Sequence, residues 1–361
     1  MKLTFCGAAK VVTGSCYLLE LDSKESKDKK SKKYLVDCGM FQGEESEKNY
    51  QSFPFDPKKI SAVFLTHAHI DHSGLLPKLK KQGFKGKIYA TSATADLCEV
   101  MLADSAHVQE MNTEEKNKER KKQGLKPIKP LYTSQDAHKT QKLFKKTSYD
   151  EKKKIDNNVS IRFRDAGHIV GSSIIEVFIK ESGKSKDKKL VFSGDLGQWN
   201  SLIVKNPSLI KEGDYVVVES TYGNRLHETE PRSLRRLKRV LKKTYKKNGK
   251  LIIPSFAVER TQQLLYAFKV LQEKGKFPDE KVFLDSPLAI KVTNIFNKYQ
   301  DILRKKLLDV KNPFKIERLK TTSSVHESKK INHYDKPAVI IAGSGMVTGG
   351  RILHHLKHNI E

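Results

Sequence analysis

The sequence is poor in the features that mark secreted, membrane-spanning or thiolate-metal proteins. Its 361 residues include only four cysteines, at positions 6, 16, 38 and 98, and no two of them form a Cys-x-x-Cys pair. We therefore expect buried free thiols in a reducing compartment rather than disulfides or a cysteine-based zinc site. No apolar run is long enough to span a bilayer, and the first residues show no signal-peptide pattern. These absences predict a cytoplasmic protein with no membrane partner.

Acidic residues are also scarce relative to basic ones. The chain has 69 lysines and arginines against 42 aspartates and glutamates, a formal net charge of +27, and no acidic block compensates for it. Such a balance favours polyanionic partners, above all nucleic acid. Some of the lysines are equally typical of a solvated surface that binds no partner. The length allows a substantial core and two domains.

Three histidines fall in residues 66–74, a stretch that follows an apolar run at residues 60–65. We expect that run to be a buried strand and a helix to begin at Ser73. Three imidazoles and one carboxylate fall within six residues of the stretch, and zinc takes these ligand types when thiolates are absent. The spacing suits two ions, with the His-x-His pair on one side of the turn and the Asp-His pair on the other. The four side chains are His67, His69, Asp71 and His72.

Similar polar side chains recur where other apolar runs end. Asp37, His168, Asp195 and Glu219 each follow such a run and lie close to a glycine. Strand ends are where layered α/β folds display ligands and catalytic groups. Alone, Asp37 or Asp195 would indicate a turn and His168 a structural histidine. Because they accompany the histidine-rich stretch, we interpret His168 and Asp195 as the remaining metal ligands.

The character of the sequence changes near residue 225. The first 224 residues contain the runs with polar ends and a charged connector at residues 24–33, which we expect to be a hairpin tip. Residues 225–361 begin with a strongly basic helical pattern and then alternate strands with helices, which predicts a second α/β domain on a parallel sheet. A glycine-rich loop at residues 343–350 indicates either a phosphate-binding turn before a helix or a tight structural turn.

Taken jointly, these motifs resemble the metallo-β-lactamase superfamily, and more narrowly its β-CASP nucleases. The superfamily resemblance rests on the His-x-His-x-Asp-His motif at 67–72, with Asp37, His168 and Asp195 in order around it. The β-CASP resemblance rests on Glu-Ser-Thr-Tyr-Gly from residue 219, Pro-Ser-Phe-Ala-Val-Glu-Arg-Thr-Gln at 254–262, Asp-Ser-Pro-Leu-Ala at 285–289 and Gly-Ser-Gly-Met at 343–346.

The resemblance implies an α/β fold in which an αββα sandwich carries an inserted β-CASP α/β domain, with a parallel sheet flanked by helices. In this chain the sandwich domain is expected over residues 1–224 and the β-CASP domain over residues 225–361. The similar proteins are bacterial and archaeal relatives of the endonuclease subunit of the pre-mRNA cleavage and polyadenylation machinery.

The resemblance also implies roles for individual residues around two zinc ions. Asp195 is implied to bridge both ions, Asp37 to orient ligands or the bridging water, and Glu219 to hydrogen-bond a histidine of the catalytic site. The implied ligands of the first zinc are His67, His69 and His168, and those of the second are Asp71, His72 and Asp195. The implied catalytic residues are Asp37, Asp71 and Glu219. The implied substrate contacts are Arg260, Ser344 and Gly345.

The sequence departs from the family pattern at its C-terminal end. Family members continue to two further histidines, one implied to protonate the leaving group and one to complete the second zinc site. The sequence stops at Glu361, and the Ser-Ala-His at 105–107 lies too early to replace the first. We therefore expect a C-terminally truncated chain with an incomplete second zinc site and without the last strands and helix of the sandwich. Three histidines on the terminal basic helix are expected on a solvated face: His354, His355 and His358.

Charge and resemblance together predict a zinc-dependent ribonuclease acting on single-stranded RNA. It is expected to be an endonuclease, with 5′-to-3′ exonuclease activity as an open second mode. Three alternatives stay open: a DNA-acting nuclease of the same family, a hydrolase of small thioesters or lactams, and a catalytically silent RNA-binding subunit. The β-CASP segments and the net charge argue against the small-molecule hydrolase. A homodimer is expected from the relatives, although no feature of the sequence requires it.

Overall fold

A computed structural model describes residues 1–22, 31–180, 186–226, 230–278 and 280–360. The chain forms two compact units, of which the first comprises Met1–Gln198 with Asn206–Gly223 and the second comprises Trp199–Lys205 with Asn224–Glu361. A domain boundary at residue 224 stays a prediction. The predicted connector at 24–33 lies mostly outside the described residues. Within the described ranges, no helix has the length and apolar character needed to cross a membrane.

The first unit contains a mixed six-stranded sheet whose strands follow one another in chain order. Strands β1 to β3 pair antiparallel, and β3 to β6 pair parallel. They comprise Lys2–Phe5 (β1), Tyr17–Leu21 (β2), Lys32–Val36 (β3), Ile60–Phe64 (β4), Lys87–Thr91 (β5) and Phe144–Thr147 (β6).

A second, five-stranded sheet of the same unit has the order β11-β10-β9-β8-β7. Strands β7 to β10 pair antiparallel, and β11 joins β10 in parallel. They comprise Lys153–Lys154 (β7), Val159–Asp165 (β8), Ser173–Ile179 (β9), Lys188–Phe192 (β10) and Tyr215–Val217 (β11).

Apolar side chains from the two sheets pack into one buried cluster. Tyr34 and Phe64 contribute from the first sheet, and Phe163 and Phe192 from the second. Burying a side chain of this size contributes roughly 1.5–3 kcal/mol, so the sheets are held face to face as a sandwich. The described residues of this unit also form four α-helices: Ile70–Ser73 (α1), Leu76–Lys81 (α2), Ser92–Lys122 (α3) and Ser134–Gln141 (α4).

One helix start differs from the sequence prediction. The helix expected to begin at Ser73 is α2, which begins at Leu76, and Ser73 instead ends the preceding helix α1. The Ser73 hydroxyl donates back to the carbonyl oxygens of Ala68 at 3.1 Å and His69 at 3.0 Å instead of capping a new helix. Helix α3 is capped by Thr91, whose side chain accepts a hydrogen bond from the Thr94 amide.

The second unit contains a four-stranded sheet, in the order β12-β15-β13-β14, whose strands are all parallel. Strand β15 is buried along its whole length, as expected for a continuous apolar run in a parallel sheet. The predicted α/β fold is thus confirmed. The strands are Lys250–Pro254 (β12), Lys281–Asp285 (β13), Leu319–Thr321 (β14) and Ala338–Ala342 (β15).

Helices precede, connect and follow these parallel strands. They are Glu230–Lys246 (α5), Arg260–Glu273 (α6), Pro287–Lys298 (α7), Lys305–Leu308 (α8), Val325–Asn332 (α9) and Arg351–Asn359 (α10). Short 3₁₀ helices occupy Gly43–Tyr50, Pro57–Lys59 and Gln300–Ile302.

Candidate metal centre

Four side chains of the first unit bring their donor atoms together. His67, His69, His168 and Asp195 each offer one donor atom, and these four atoms lie within 4.8 Å of one another. His67 Nε2 and His168 Nε2 lie 3.1 Å and 3.2 Å from His69 Nδ1. Asp195 Oδ2 lies 3.7 Å from His67 Nε2 and 3.6 Å from His168 Nε2. Three nitrogens and one carboxylate oxygen facing a common point form a donor set that zinc accepts.

The position of each donor follows from where the strands end. β4 ends at Phe64, β8 at Asp165 and β10 at Phe192. His67, His168 and Asp195 each lie three residues beyond the corresponding strand. Because the strands belong to two sheets packed face to face, their ends meet at one edge of the sandwich, and donors distant in sequence become neighbours.

Burial and mutual repulsion keep three of the imidazoles neutral. Burial lowers the pKa of His67 and of His69 below the ordinary histidine value. Burial, followed by the effect of His69, lowers the pKa of His168 to about 3. Because these pKa values are low, the three imidazoles are neutral at neutral pH. Neutral imidazole is the form that binds a metal ion.

Asp195 supplies the negative charge of the cluster. Its pKa is held below the ordinary aspartate range; burial opposes this shift, but the hydrogen bond with His72 and the neighbouring histidines outweigh it. The cluster therefore combines neutral nitrogens with one ionised carboxylate, and this combination fits a divalent cation.

His72 and Asp37 form a buried pair next to the cluster. His72 Nδ1 lies 2.7 Å from Asp37 Oδ2, and His72 Nε2 lies 3.2 Å from Asp195 Oδ1. Asp37 also accepts hydrogen bonds from the Thr66 amide at 2.7 Å and the Thr66 hydroxyl at 2.8 Å. Burial acts to lower the pKa of His72, but Asp195 and Asp37 raise it well above the ordinary histidine value. Asp37 thus holds the orientation of the ring whose other nitrogen faces Asp195.

Asp71 and Glu219 lie at the border of this arrangement. Asp71 is on α1, directly before His72, and it is not among the four residues whose donors converge. Its charge opposes the effect of burial, which lowers the pKa of His69, so Asp71 acts on the site electrostatically.

The Glu219 carboxylate accepts a hydrogen bond from the Leu196 amide at 2.9 Å, and the Glu219 amide donates to the Ser193 hydroxyl at 3.1 Å. Glu219 therefore braces the segment on both sides of Asp195.

Two glycines permit the close approach of the ligand-bearing loops. A Cβ on Gly39 would lie 1.6 Å from the Asp71 carbonyl oxygen, and one on Gly197 would lie 1.5 Å from the Gly167 carbonyl oxygen. Each glycine is the last residue of an Asp-x-Gly sequence that follows a buried strand. Only a residue without a side chain leaves room there for the loops that carry His72 and His168.

The predicted substrate contacts belong to the second unit. Arg260 is exposed at the start of α6. Gly345 packs against Phe256, which lies 2.8 Å from the position of an added Cβ. The Ser344 hydroxyl is buried and has no hydrogen-bond partner among the described residues. Ser344 and Gly345 therefore share one loop, directly before the N-terminus of α10.

Sequence reasoning missed a buried network centred on Asp285, the last residue of β13. His355 was expected on a solvated face, and this expectation is wrong: its side chain is buried, and its Nε2 lies 2.6 Å from Asp285 Oδ2. Asp285 also accepts from Thr322 at 2.5 Å, Ser328 at 2.5 Å and Arg351 at 2.6 Å. One signal was available, because Asp285 ends an apolar run in the same way as the metal-site aspartates.

A cluster of neutral imidazoles and one carboxylate at the strand ends of a β-sandwich defines a metal-dependent hydrolase. Two family models match the chain: the metallo-beta-lactamase superfamily over residues 9–128 and the Beta-Casp domain over residues 261–361.

Curated relatives match the chain over nearly its whole length. Ribonuclease TTHA0252 of Thermus thermophilus is 37% identical over 366 residues, which cover 100% of this chain and 77% of the relative. Transcription termination factor FttA of Methanosarcina mazei is 31% identical over 374 residues, or 99% of this chain and 54% of the factor. The RNase J-like protein of Methanocaldococcus jannaschii is 29% identical over 348 residues, which cover 95% of this chain and 73% of the relative.

The chain belongs to the metallo-β-lactamase superfamily and, within it, to the β-CASP proteins. It spans about three quarters of the Thermus ribonuclease and about half of the archaeal termination factor.

Proposed function

We propose that the chain is a zinc-dependent ribonuclease that hydrolyses phosphodiester bonds of single-stranded RNA, as an endonuclease with 5′-to-3′ exonuclease activity as a second mode. The observation that carries the proposal is the convergence of four metal donors at one edge of the sandwich. The net charge of +27 supports a polyanionic substrate. Relatives named as a ribonuclease and an RNase J-like protein support RNA.

Two overlapping ligand sets would hold the metal. Asp195 suits a bridging role because its two oxygens face different imidazoles: Oδ2 faces His67 and His168, and Oδ1 faces His72. Zinc held there supplies Lewis-acid chemistry and lowers the pKa of water. The first set is His67, His69, His168 and Asp195, and the second is Asp71, His72 and Asp195.

The residues around the ligands fix their orientation. Asp37 contacts His72 Nδ1 and so holds the ring with Nε2 facing Asp195; with an ion bound, the neutral ring would donate Nδ1–H to Asp37 and offer Nε2 to the metal. Glu219 holds the Leu196 amide and so restrains the backbone next to Asp195. These bonds keep the donors in place and reduce the reorganisation needed to form the site.

Candidate contacts to the RNA backbone lie in the second unit. The Ser344 hydroxyl needs a hydrogen-bond partner, and the N-terminus of α10 favours an anion. Gly345 keeps the same loop free of a side chain that would clash with Phe256. The exposed guanidinium of Arg260 can pair with a phosphate. We assign these three residues to phosphate binding.

The test is cleavage of a single-stranded RNA labelled at its 5′ end, with zinc or with EDTA. Asp71→Asn removes a proposed ligand of the second ion, and Asp309→Asn removes an exposed carboxylate of the second unit as a control. We expect zinc-dependent cleavage by the wild type and by Asp309→Asn. For Asp71→Asn we expect cleavage reduced at least about 100-fold with RNA binding retained. Equal loss of binding and cleavage would show that Asp71 is structural.

The products separate the alternatives. Internal fragments indicate endonucleolytic cleavage, and released 5′-labelled mononucleotides indicate the exonuclease mode. Cleavage of a DNA of the same sequence, with the RNA left intact, would replace the proposal by a DNA-acting nuclease. Zinc-independent RNA binding without cleavage would replace it by an RNA-binding subunit. The homodimer and the cytoplasmic location stay predictions.

A further inference from the structure

Helix α5 lies in the most one-sided charge environment of the chain. Residues 231–258 contain ten lysines and arginines and no aspartate or glutamate. By contrast, the basic end of α3 is interleaved with three glutamates, at positions 114, 115 and 119. Apart from Glu230, its first residue, α5 therefore lacks the acidic side chains that are interleaved with the cations of α3.

Seven of these cations share one face of α5, which we call the cationic face. At 100° per residue they fall within an arc of about 120° and extend over about 21 Å of helix. All seven side chains are exposed. The cationic face consists of Arg232, Arg235, Arg236, Arg239, Lys242, Lys243 and Lys246.

The opposite face of α5 attaches the helix to its unit. Leu234 and Leu237 are partly buried and Leu241 is fully buried, and the helix packs against β12. The leucines therefore attach the helix to its unit, and the cationic face is presented to solvent.

The cationic face carries a stability cost without a visible compensation. Like charges three and four residues apart repel one another along a helix. In the described part of the chain, none of the seven side chains forms an ion pair or a cation–π contact. A polyanion lying along the helix would relieve this repulsion.

We propose that the cationic face of α5 is a docking surface for the phosphate backbone of RNA, one that adds affinity without taking part in hydrolysis. The proposal rests on the proposed function for the identity of the polyanion. A row of about two cations per helical turn matches a ligand with regularly spaced negative charges. A membrane surface is disfavoured, because a basic amphipathic helix binds lipid through an apolar face, and the leucine face of α5 packs against its own unit at β12.

The test is a charge-neutralised variant with four changes, Arg235→Gln, Arg236→Gln, Arg239→Gln and Lys243→Gln. Glutamine has a helix propensity close to that of lysine and arginine, so circular dichroism should be unchanged. The matched control neutralises four exposed lysines at the end of α3, where glutamates are interleaved: Lys116→Gln, Lys118→Gln, Lys121→Gln and Lys122→Gln.

RNA affinity is measured with a labelled 30-mer in EDTA over a range of salt concentrations, so that binding does not depend on cleavage. Each phosphate contact contributes about 0.7 to the slope of log K against log salt for a single strand. We expect the α5 variant to lower that slope by about 2 to 3 and the affinity at least about tenfold near 0.1 M salt. The α3 control should change affinity less than about twofold.

Two further measurements separate this proposal from the proposed function. In zinc, the α5 variant should raise KM for the long RNA without changing kcat, and it should hydrolyse bis(p-nitrophenyl) phosphate as the wild type does. If the wild type cleaves neither substrate, the proposed function fails, whereas the EDTA binding series still decides the role of α5.

The proposal is overturned if the α5 variant and the α3 control lose the same RNA affinity, because only the total charge would then matter. An unchanged salt slope in the α5 variant would overturn it as well. A third outcome would also overturn it. If the wild type bound anionic phosphatidylserine vesicles, and the α5 variant lost this binding but kept its RNA affinity, the surface would be assigned to lipid.

Discussion

Two buried aspartate–histidine pairs in this chain look alike and are surrounded differently. Asp37 follows β3 and bonds to His72 at 2.7 Å, whereas Asp285 ends β13 and bonds to His355 at 2.6 Å. Each aspartate is fully buried and also accepts a hydrogen bond from a threonine hydroxyl. The two units have thus placed the same pair of residues at equivalent points, the end of a buried strand.

The difference lies in charge compensation and in the second nitrogen of each histidine. Arg351 and two hydroxyls help His355 to lower the pKa of Asp285 to about 2, although burial opposes this shift. Burial instead raises the pKa of Asp37. The second nitrogen of His72 is paired with Asp195, while that of His355 is buried with no hydrogen-bond partner in the described ranges. The first pair directs a ligand, and the second ties strand β13 to helices α9 and α10.

Replacing Asp285 by alanine should have the largest effect on stability. The change leaves Arg351 and His355 without their shared acceptor, and breaking a buried pair in this way costs about 3–5 kcal/mol. Urea unfolding of the metal-free protein measures the loss. Zinc bound per folded molecule should stay unchanged, and a loss of zinc with unaltered unfolding would reverse the roles that we assign to the two pairs.

Replacing Asp37 by asparagine should act on metal affinity more than on stability. The amide cannot impose the same orientation on His72, and the loss of such a supporting contact typically lowers metal affinity about 10–100-fold. Competition with a chromophoric chelator measures zinc affinity. Asp285→Asn is the matched control, and we expect it to keep the zinc affinity of the wild type. If both variants lost the same zinc affinity, the two aspartate–histidine pairs would not differ in role as we infer.

The acid stability of the protein should report the Asp285 pair. The pKa of Asp285 falls from 3.8 to about 2 on folding, so the ionised form stabilises the fold. This contribution is complete above about pH 4 and is lost as pH falls towards 2. Between pH 5 and pH 3, the metal-free wild type should lose about 1 kcal/mol more than Asp285→Asn. If the free energy of unfolding changed with pH in the same way for both proteins, the ionised Asp285 carboxylate would not stabilise the fold.

The smallest effect is expected from His355→Gln. The glutamine amide can replace the Nε2 donor to Asp285, and Nδ1 makes no bond that would be lost. The expected cost is below about 1 kcal/mol, whereas His355→Asn, which cannot reach Asp285 in the same way, should cost about 2 kcal/mol. Thermal melting compares the two. At His72 both nitrogens are engaged, so His72→Gln should weaken zinc binding.

The sequence predicted the strands and the residues that follow them because both are local properties. An apolar run followed by His or Asp identified His67, His168 and Asp195 without any knowledge of the sheets. That these residues converge depends on how the two sheets pack, and the resemblance to a known family supplied this information. The sequence alone predicted the donors but not their geometry.

The role of His355 could not be predicted in the same way. Its partner Asp285 lies 70 residues earlier, on a different element. The basic residues around His355 favoured a solvated face, although Ile352, three residues before it, is also buried and shares its side of α10. Similarly, the start of α2 was misplaced because a serine hydroxyl bonds backwards into a helix as readily as it caps one.

The donor set joins the two sheets of the first unit across a long stretch of chain. His67 and His69 follow a strand of the first sheet, whereas His168 and Asp195 follow strands of the second. A bound ion would cross-link the two sheets, so the sheets could separate only after the ion is released. Amide hydrogen exchange in β4, β8 and β10 should therefore slow together when zinc is added, and a chelator should release all three strands at once.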